Sequence, residues 1–264
     1  MHTRHVAVDW SGSLSRSGSQ IWLAAVEDGL LVTVRGPLTR AEVVETLLEW
    51  SSEGIPLVVG LDFGFSFPEW YIRHLGCASA MDLWELAAAS GESWLASCQP
   101  PFWGRPGRRR GPQEQYRRTE SEVAARPKSV FQVGGAGSVG TGSIRGMPAL
   151  LQLRQRNFAI WPFDRTPGSF VMEIYPRLLT GPGPKRQLAW RQAYLDALGW
   201  PTEIALRERC ASTEDAFDAA VSALRMWQHE DELRGLAAAR DETDRLEGRI
   251  WSPSVPIGSP CSGV

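Results

Sequence analysis

Four aspartates carry the residue types and spacings from which hydrolytic chemistry can be built. Asp9 ends the apolar run VAVD, and Asp62 ends the apolar run PLVVGLD. Asp215 and Asp218 stand three residues apart in STEDAFDAAVSALRMW, a spacing that puts both on one flank of a helix. If the strands ending in Asp9 and Asp62 are parallel neighbours, both carboxylates leave the sheet at its carboxyl edge, where ligands of such sheets bind. Carboxylates converging there repel one another, so they hold protons tightly or demand a cation. A hard divalent cation such as Mg2+ prefers oxygen ligands and keeps waters for a substrate phosphate. Mg2+ or Mn2+ is therefore the expected cofactor.

Each acid also has a plainer reading. Asp9 and Asp62 could be turn formers at strand ends. Asp215 follows Ser212 by three residues and could be the acidic partner of a helix cap. Asp218 lies past the first turn, beside the stripe Phe217, Ala220, Val221, Leu224 and Trp227, and capping does not account for it. Glu173, in SFVMEIY, either completes the site or pairs with an arginine.

The elements that must position these residues are legible in the hydrophobic pattern. Residues 5–9 alternate as a strand. Residues 20–27 and 30–35 flank the turn signal Asp28-Gly29 and continue it as an antiparallel meander. Thr39, with Glu42 three residues on, caps a helix carrying Val43, Leu47, Leu48 and Trp50. Residues 56–61 are almost wholly apolar, as in a strand buried on both faces. A right-handed crossover then sets this strand parallel to the first and beside it. Helices are expected at 81–89, at 148–156 with Pro148 opening the first turn, at 185–198, at 213–228 and at 231–245. Residues 169–175 and 249–251 read as further strands. The result is an α/β fold, a mixed sheet flanked by helices.

Residues 99–112, rich in Pro, Gly and Arg, are expected as a surface excursion. Residues 129–146 are expected as a glycine-rich loop or hairpin. Their Gly135-x-Gly137-x-x-Gly140 spacing matches the dinucleotide fingerprint but lacks its β-α-β setting, so a tight hairpin or a backbone cradle for an anion is the better reading. Domain organisation follows: one domain over residues 1–254, an irregular insertion at about 99–147, and a loose tail at 255–264.

The net charge of -2 gives no global pull toward nucleic acid or anionic membrane. Locally the balance differs. Residues 99–128 carry eight basic side chains against three acids. Arg105, Arg108, Arg109, Arg110, Arg117 and Arg118, interleaved with Phe102, Trp103 and Tyr116, suit contacts to phosphates and stacking on bases; a solvated loop is the plainer reading. The four cysteines form no C-x-x-C pair, which argues against a zinc site and a disulfide framework. No stretch approaches a membrane span, and a reduced cytoplasmic setting is expected.

The motifs VAVDWSG, GLDFGFSFP, VFQVGGAGSVGTGSIRG, MEIYP, EDAFDAAVSAL and EGRIWSP, in that order over residues 6–253, resemble the family catalogued as domain of unknown function 429. More broadly, an aspartate ending the first strand, an acid ending the fourth and D-x-x-D on a late helix resemble the ribonuclease-H-like superfamily, especially RuvC-type resolvases. The resemblance implies a ribonuclease-H-like mixed five-stranded sheet with an insertion between its fourth and fifth strands. It implies a metal-dependent nuclease acting on nucleic acid by a two-metal carboxylate mechanism. Carried over position by position, Asp9, Asp62 and Asp218 become catalytic metal ligands, and Asp215 matches the first aspartate of the resolvase helix; with Asp215 and Glu173 they make up the expected set of metal ligands. Resolvases usually carry glutamate at the fourth-strand position, where this chain has the shorter Asp62. The alternatives are an actin-like relative that grips ATP and a catalytically inactive interaction protein of the same fold.

Overall fold

The structure, a computed structural model, describes residues 2–14, 21–125, 127–135 and 137–254. The expected tail at 255–264 lies outside the described residues. Three strands open the chain: β1 (Arg4–Asp9), β2 (Ile21–Glu27) and β3 (Leu30–Leu38). Helix α1 (Arg40–Ser51) leads to β4 (Leu57–Leu61). Four helices follow, α2 (Glu69–His74), α3 (Ala80–Ser97), α4 (Arg118–Glu122) and α5 (Val139–Gln155). Then come β5 (Ala159–Ile160), β6 (Phe170–Ile174), α6 (Pro176–Thr180), α7 (Leu188–Leu198), α8 (Ile204–Ala211) and α9 (Glu214–Gln228). Short α10 (Glu230–Arg234), α11 (Glu242–Glu247) and β7 (Ile250–Trp251) end the described chain.

Among the described residues the strands form one mixed sheet of seven, in the order β3-β2-β1-β4-β6-β5, with β7 also pairing β6. The meander β1-β2-β3 is antiparallel, and β1 and β4 are parallel neighbours. The expected count of five is exceeded by two-residue strands. β5 pairs the start of β6 and β7 its end, so both share one edge position. The region between β4 and β6 holds α2 to α5, β5 and the irregular stretch that the sequence marked as an insertion.

Alternation along β1 distributes side chains to two cores. Val6 and Val8 join Leu47, Leu83 and Leu150 on one face, whereas Ala7 joins Phe217, Val221 and Tyr194 on the other. α1, α3 and α5 cover the first face, and α9 lies along β1 and β2 on the second. Thr39 caps α1 as the sequence indicates, accepting from the Glu42 amide while Glu42 accepts from the Thr39 amide. The cap of α9, in contrast, is Thr213, whose hydroxyl accepts from the Ala216 amide; Ser212 is not the cap.

Three elements depart from the sequence reading. The glycine-rich stretch is helical from Val139 onward, and Pro148 lies inside α5 rather than opening a helix. Packing overrides propensity here. A Cβ at Gly146 would stand 2.5 Å from the Phe63 ring, so glycine is what lets α5 sit against the strand end. The charged run 231–245 splits into α10 and α11, with the Ala239 amide donating to the Pro162 carbonyl between them. Helix α7 begins at Leu188, leaving Lys185 in the loop before it. No helix among the described residues is long and apolar enough to cross a membrane.

Candidate active site

Pleating and register bring the first two aspartates together. β1 pairs β4 with Ala7 opposite Gly60 and Val8 opposite Leu61, and the Asp62 amide donates to the Val8 carbonyl at 3.0 Å. One residue further along this register, Asp9 stands beside Asp62. Both fall on the pleat of Ala7 and Val58, so both side chains project to the α9 face. Close approach of α9 requires the small residue in β4. A Cβ at Gly60 would stand 2.8 Å from Ile174 and 2.9 Å from the Met226 sulfur. α9 then contributes Asp218, buried at 6% exposure, and Asp215 one turn earlier.

The four carboxylates feel one another. Burial pushes Asp9 well above the ordinary carboxylate range, and Asp62, Asp218 and Asp215 push it the same way. Burial raises Asp62 to about 8, with Asp218, Glu173 and Asp215 adding to it. Asp215 is raised to about 6 by burial and by its neighbours Asp218 and Glu214. Burial also raises Asp218, against the pull of the Lys185 ammonium. Among the described residues, neither the Asp9 nor the Asp62 carboxylate has a hydrogen-bonding or ion-pairing partner within reach.

Lys185 is the residue that sequence reasoning missed. Its Nζ donates to Asp218 Oδ1 at 2.7 Å and also to Oδ2, with Thr180 Oγ1 at 3.5 Å. Its charge also acts on Asp9, Asp62 and Asp215. The chain holds only two lysines among 28 basic residues, and this one sits in the stiff stretch GPGPK. That rarity is the only signal; 33 residues separate it from Asp218, and periodicity cannot bridge a loop.

Glu173 is a correction to its placement among the metal ligands. It pairs with Leu61 in the β4–β6 register, and so faces the layer opposite to that of Asp62. There it accepts from the Phe65 amide at 2.9 Å and from both terminal nitrogens of Arg117, one at 2.8 Å. Of its two sequence readings, the arginine pair is the one the geometry realises. Arg117 is corrected with it. At 1% exposure, its guanidinium is engaged by Glu120, Glu173 and the Glu247 carbonyl rather than presented to solvent. Arg118 is engaged by Asp241 and Asp244. Arg105, Arg108, Arg109 and Arg110 remain exposed, with Arg110 over the Tyr116 ring at 5.3 Å.

That arginine loop is stapled to the glycine-rich segment. The Trp103 amide donates to Phe131 O, the Val133 amide donates to Trp103 O, and Gly104 packs on Gly134. The segment leads into α5, whose first turn lines a cavity of about 230 Å3 together with Trp10, Asp62, Lys128 and Tyr175. Gly12, just after Asp9, packs so closely on this turn that a Cβ would lie 2.7 Å from the Gly142 nitrogen.

The aspartates offer the hard oxygen donors that Mg2+ or Mn2+ prefers. Their arrangement does not fit such an ion. Among the described residues no three His, Cys, Asp or Glu side chains stand close enough to hold one, and both oxygens of Asp218 face an ammonium. Comparison with protein families, with curated proteins and with solved structures found no match, so the family resemblance rests on the quoted motifs alone.

Proposed function

We propose that the chain is a nuclease that hydrolyses phosphodiester bonds at the carboxyl ends of β1 and β4. One observation carries this reading. Two partnerless aspartates at adjacent parallel strand ends share a face with two more on α9, and each raises the proton affinity of another. Structural acids are ordinarily paired off, as Glu173 is. The acid on the first strand, the acid on the fourth and D-x-x-D on α9 support the ribonuclease-H-like reading of the mixed sheet.

The chain's own residues supply an acid, a base and a positive charge. Asp62, raised to about 8, keeps its proton near neutral pH and can deliver it to a leaving oxygen. Asp218, where the ammonium opposes the upward push of burial, can accept a proton from an attacking water. Lys185 meets the charge of the phosphate. The Mg2+ or Mn2+ implied by the resemblance would fall to Asp9, Asp62 and Asp218, but their spacing does not close around an ion. Exposed Arg105, Arg108, Arg109 and Arg110 would hold the nucleic-acid backbone away from the reacting bond. The cavity beside Asp62, about 230 Å3, is smaller than the ~300–1,000 Å3 usual for small-molecule sites and gives no support to ATP binding.

The test is cleavage of branched, duplex and single-stranded nucleic acid by the full chain, with Mg2+, with Mn2+ or with a chelator. Asp62→Asn should lower the rate at least about 100-fold, the usual scale for a lost acid-base group. Activity that survives Asp9→Asn and Asp218→Asn together overturns the reading. Cleavage that persists in chelator assigns the work to Asp62, Asp218 and Lys185; cleavage that requires the ion overturns that assignment.

A further inference from the structure

We propose that Lys185 is the resident cation of the carboxylate cluster and keeps divalent metal ions off Asp218. The inference rests on the same site as the proposed nuclease, but it concerns what fills that site rather than what the site does.

The ammonium takes up both oxygens of Asp218 at hydrogen-bonding distance. A divalent ion ligated by Asp218 would have to evict it, because a metal binds the same lone pairs. The lysine is not a flexible surface side chain that drifted inward. Its side chain is 12% exposed. Its backbone is fixed on both sides: the Lys185 amide donates to Gly183 O at 3.0 Å, and its carbonyl accepts from Arg191 Nη1. Gly183 is itself pressed on Trp190, where a Cβ would collide with the indole ring.

Arg191 makes the placement specific. The same guanidinium donates to Ala211 O at 2.8 Å and to Ser212 O at 3.3 Å, at the junction that launches α9. It therefore ties the loop carrying Lys185 to the helix carrying Asp215 and Asp218. Arg191 is 5% exposed, so the tie is an internal strut rather than a surface bond. The fold thus holds a fixed positive charge where a metal enzyme would leave room for an ion. This accounts for aspartates that gather without forming a set able to hold a metal.

The experiment counts Mn2+ bound per chain by calorimetry and by electron paramagnetic resonance, on wild type, Lys185→Met and Lys185→Gln. Removal of one unit of positive charge a few ångströms away favours a divalent cation strongly at a poorly hydrated site. The expected result is one Mn2+ more than wild type in both variants, with affinity raised at least about tenfold, and loss of that gain when Asp218→Asn is added. Circular dichroism on each variant verifies folding. Should both variants fail to fold, Asp218→Asn in the otherwise wild-type chain decides: Mn2+ affinity within about twofold of wild type supports the inference, and a tenfold loss overturns it. An unchanged Mn2+ count in folded Lys185→Met also overturns it. A wild-type chain that cleaves nothing while Lys185→Met gains an ion would defeat the nuclease reading and leave this inference standing.

Discussion

At the scale of single residues, position on the pleat separates the clustered acids from the paired one. Asp62 and Glu173 end adjacent strands, yet Asp62 faces α9 and Glu173 faces Arg117. Glu173 is neutralised by a guanidinium, whereas Asp62 keeps its proton to a pH of about 8. An acid whose folded pKa lies above its unfolded value binds protons more tightly when folded. Stability is then highest below the unfolded pKa, near 3.8, and falls as pH rises through the folded value near 8. Asp62→Asn removes that loss. Thermal melts should show the variant gaining a few degrees over wild type at pH 8, on the order of 1 kcal/mol or more, with a smaller gain at pH 5. An equal gain at both pH values would show that Asp62 does not titrate with folding.

At the scale of elements, the site depends on how closely α9 lies on the sheet. Gly60 sets that distance through Ile174 and Met226. Gly60→Val should destabilise the chain by about 1–3 kcal/mol in urea unfolding, the usual cost of overpacking. It should also lower the rate of the proposed cleavage, because Asp218 is carried on the displaced helix. The strands that hold Asp9 and Asp62 were readable from sequence because alternation, the capping box of Thr39 and Glu42, and the crossover rule are local signals. Lys185, Arg191 and the face of Glu173 were not. Each depends on packing between segments distant in the chain, and the glycines of α5 argue against the helix that tertiary packing imposes.

At the scale of the whole molecule, basic side chains divide between building and reaching outward. Arg117 and Arg118 are consumed by the fold, whereas Arg105, Arg108, Arg109 and Arg110 stand in solvent on a loop anchored to the glycine-rich segment. Replacing these four with serine should leave the melting temperature within about a degree. In fluorescence anisotropy it should weaken binding to single-stranded nucleic acid and flatten the salt dependence by about 0.7 of a logarithmic unit for each phosphate the loop no longer touches. An unchanged salt slope would show that the loop does not meet the backbone.

The short strand β7 and the turn of α11 before it have a consequence for how the chain folds. Arg117 donates to the Glu247 carbonyl, the Arg118 amide to the Glu247 carboxylate and the Ser66 hydroxyl to Leu246 O, while the Thr119 hydroxyl accepts from the Ile250 amide. These partners lie 130 residues beyond Arg117, 131 beyond Thr119 and 180 beyond Ser66. The layer behind β4 and β6 therefore closes only when segments that far apart in the chain have met. Its closure is a late, long-range event, of the kind that slows folding.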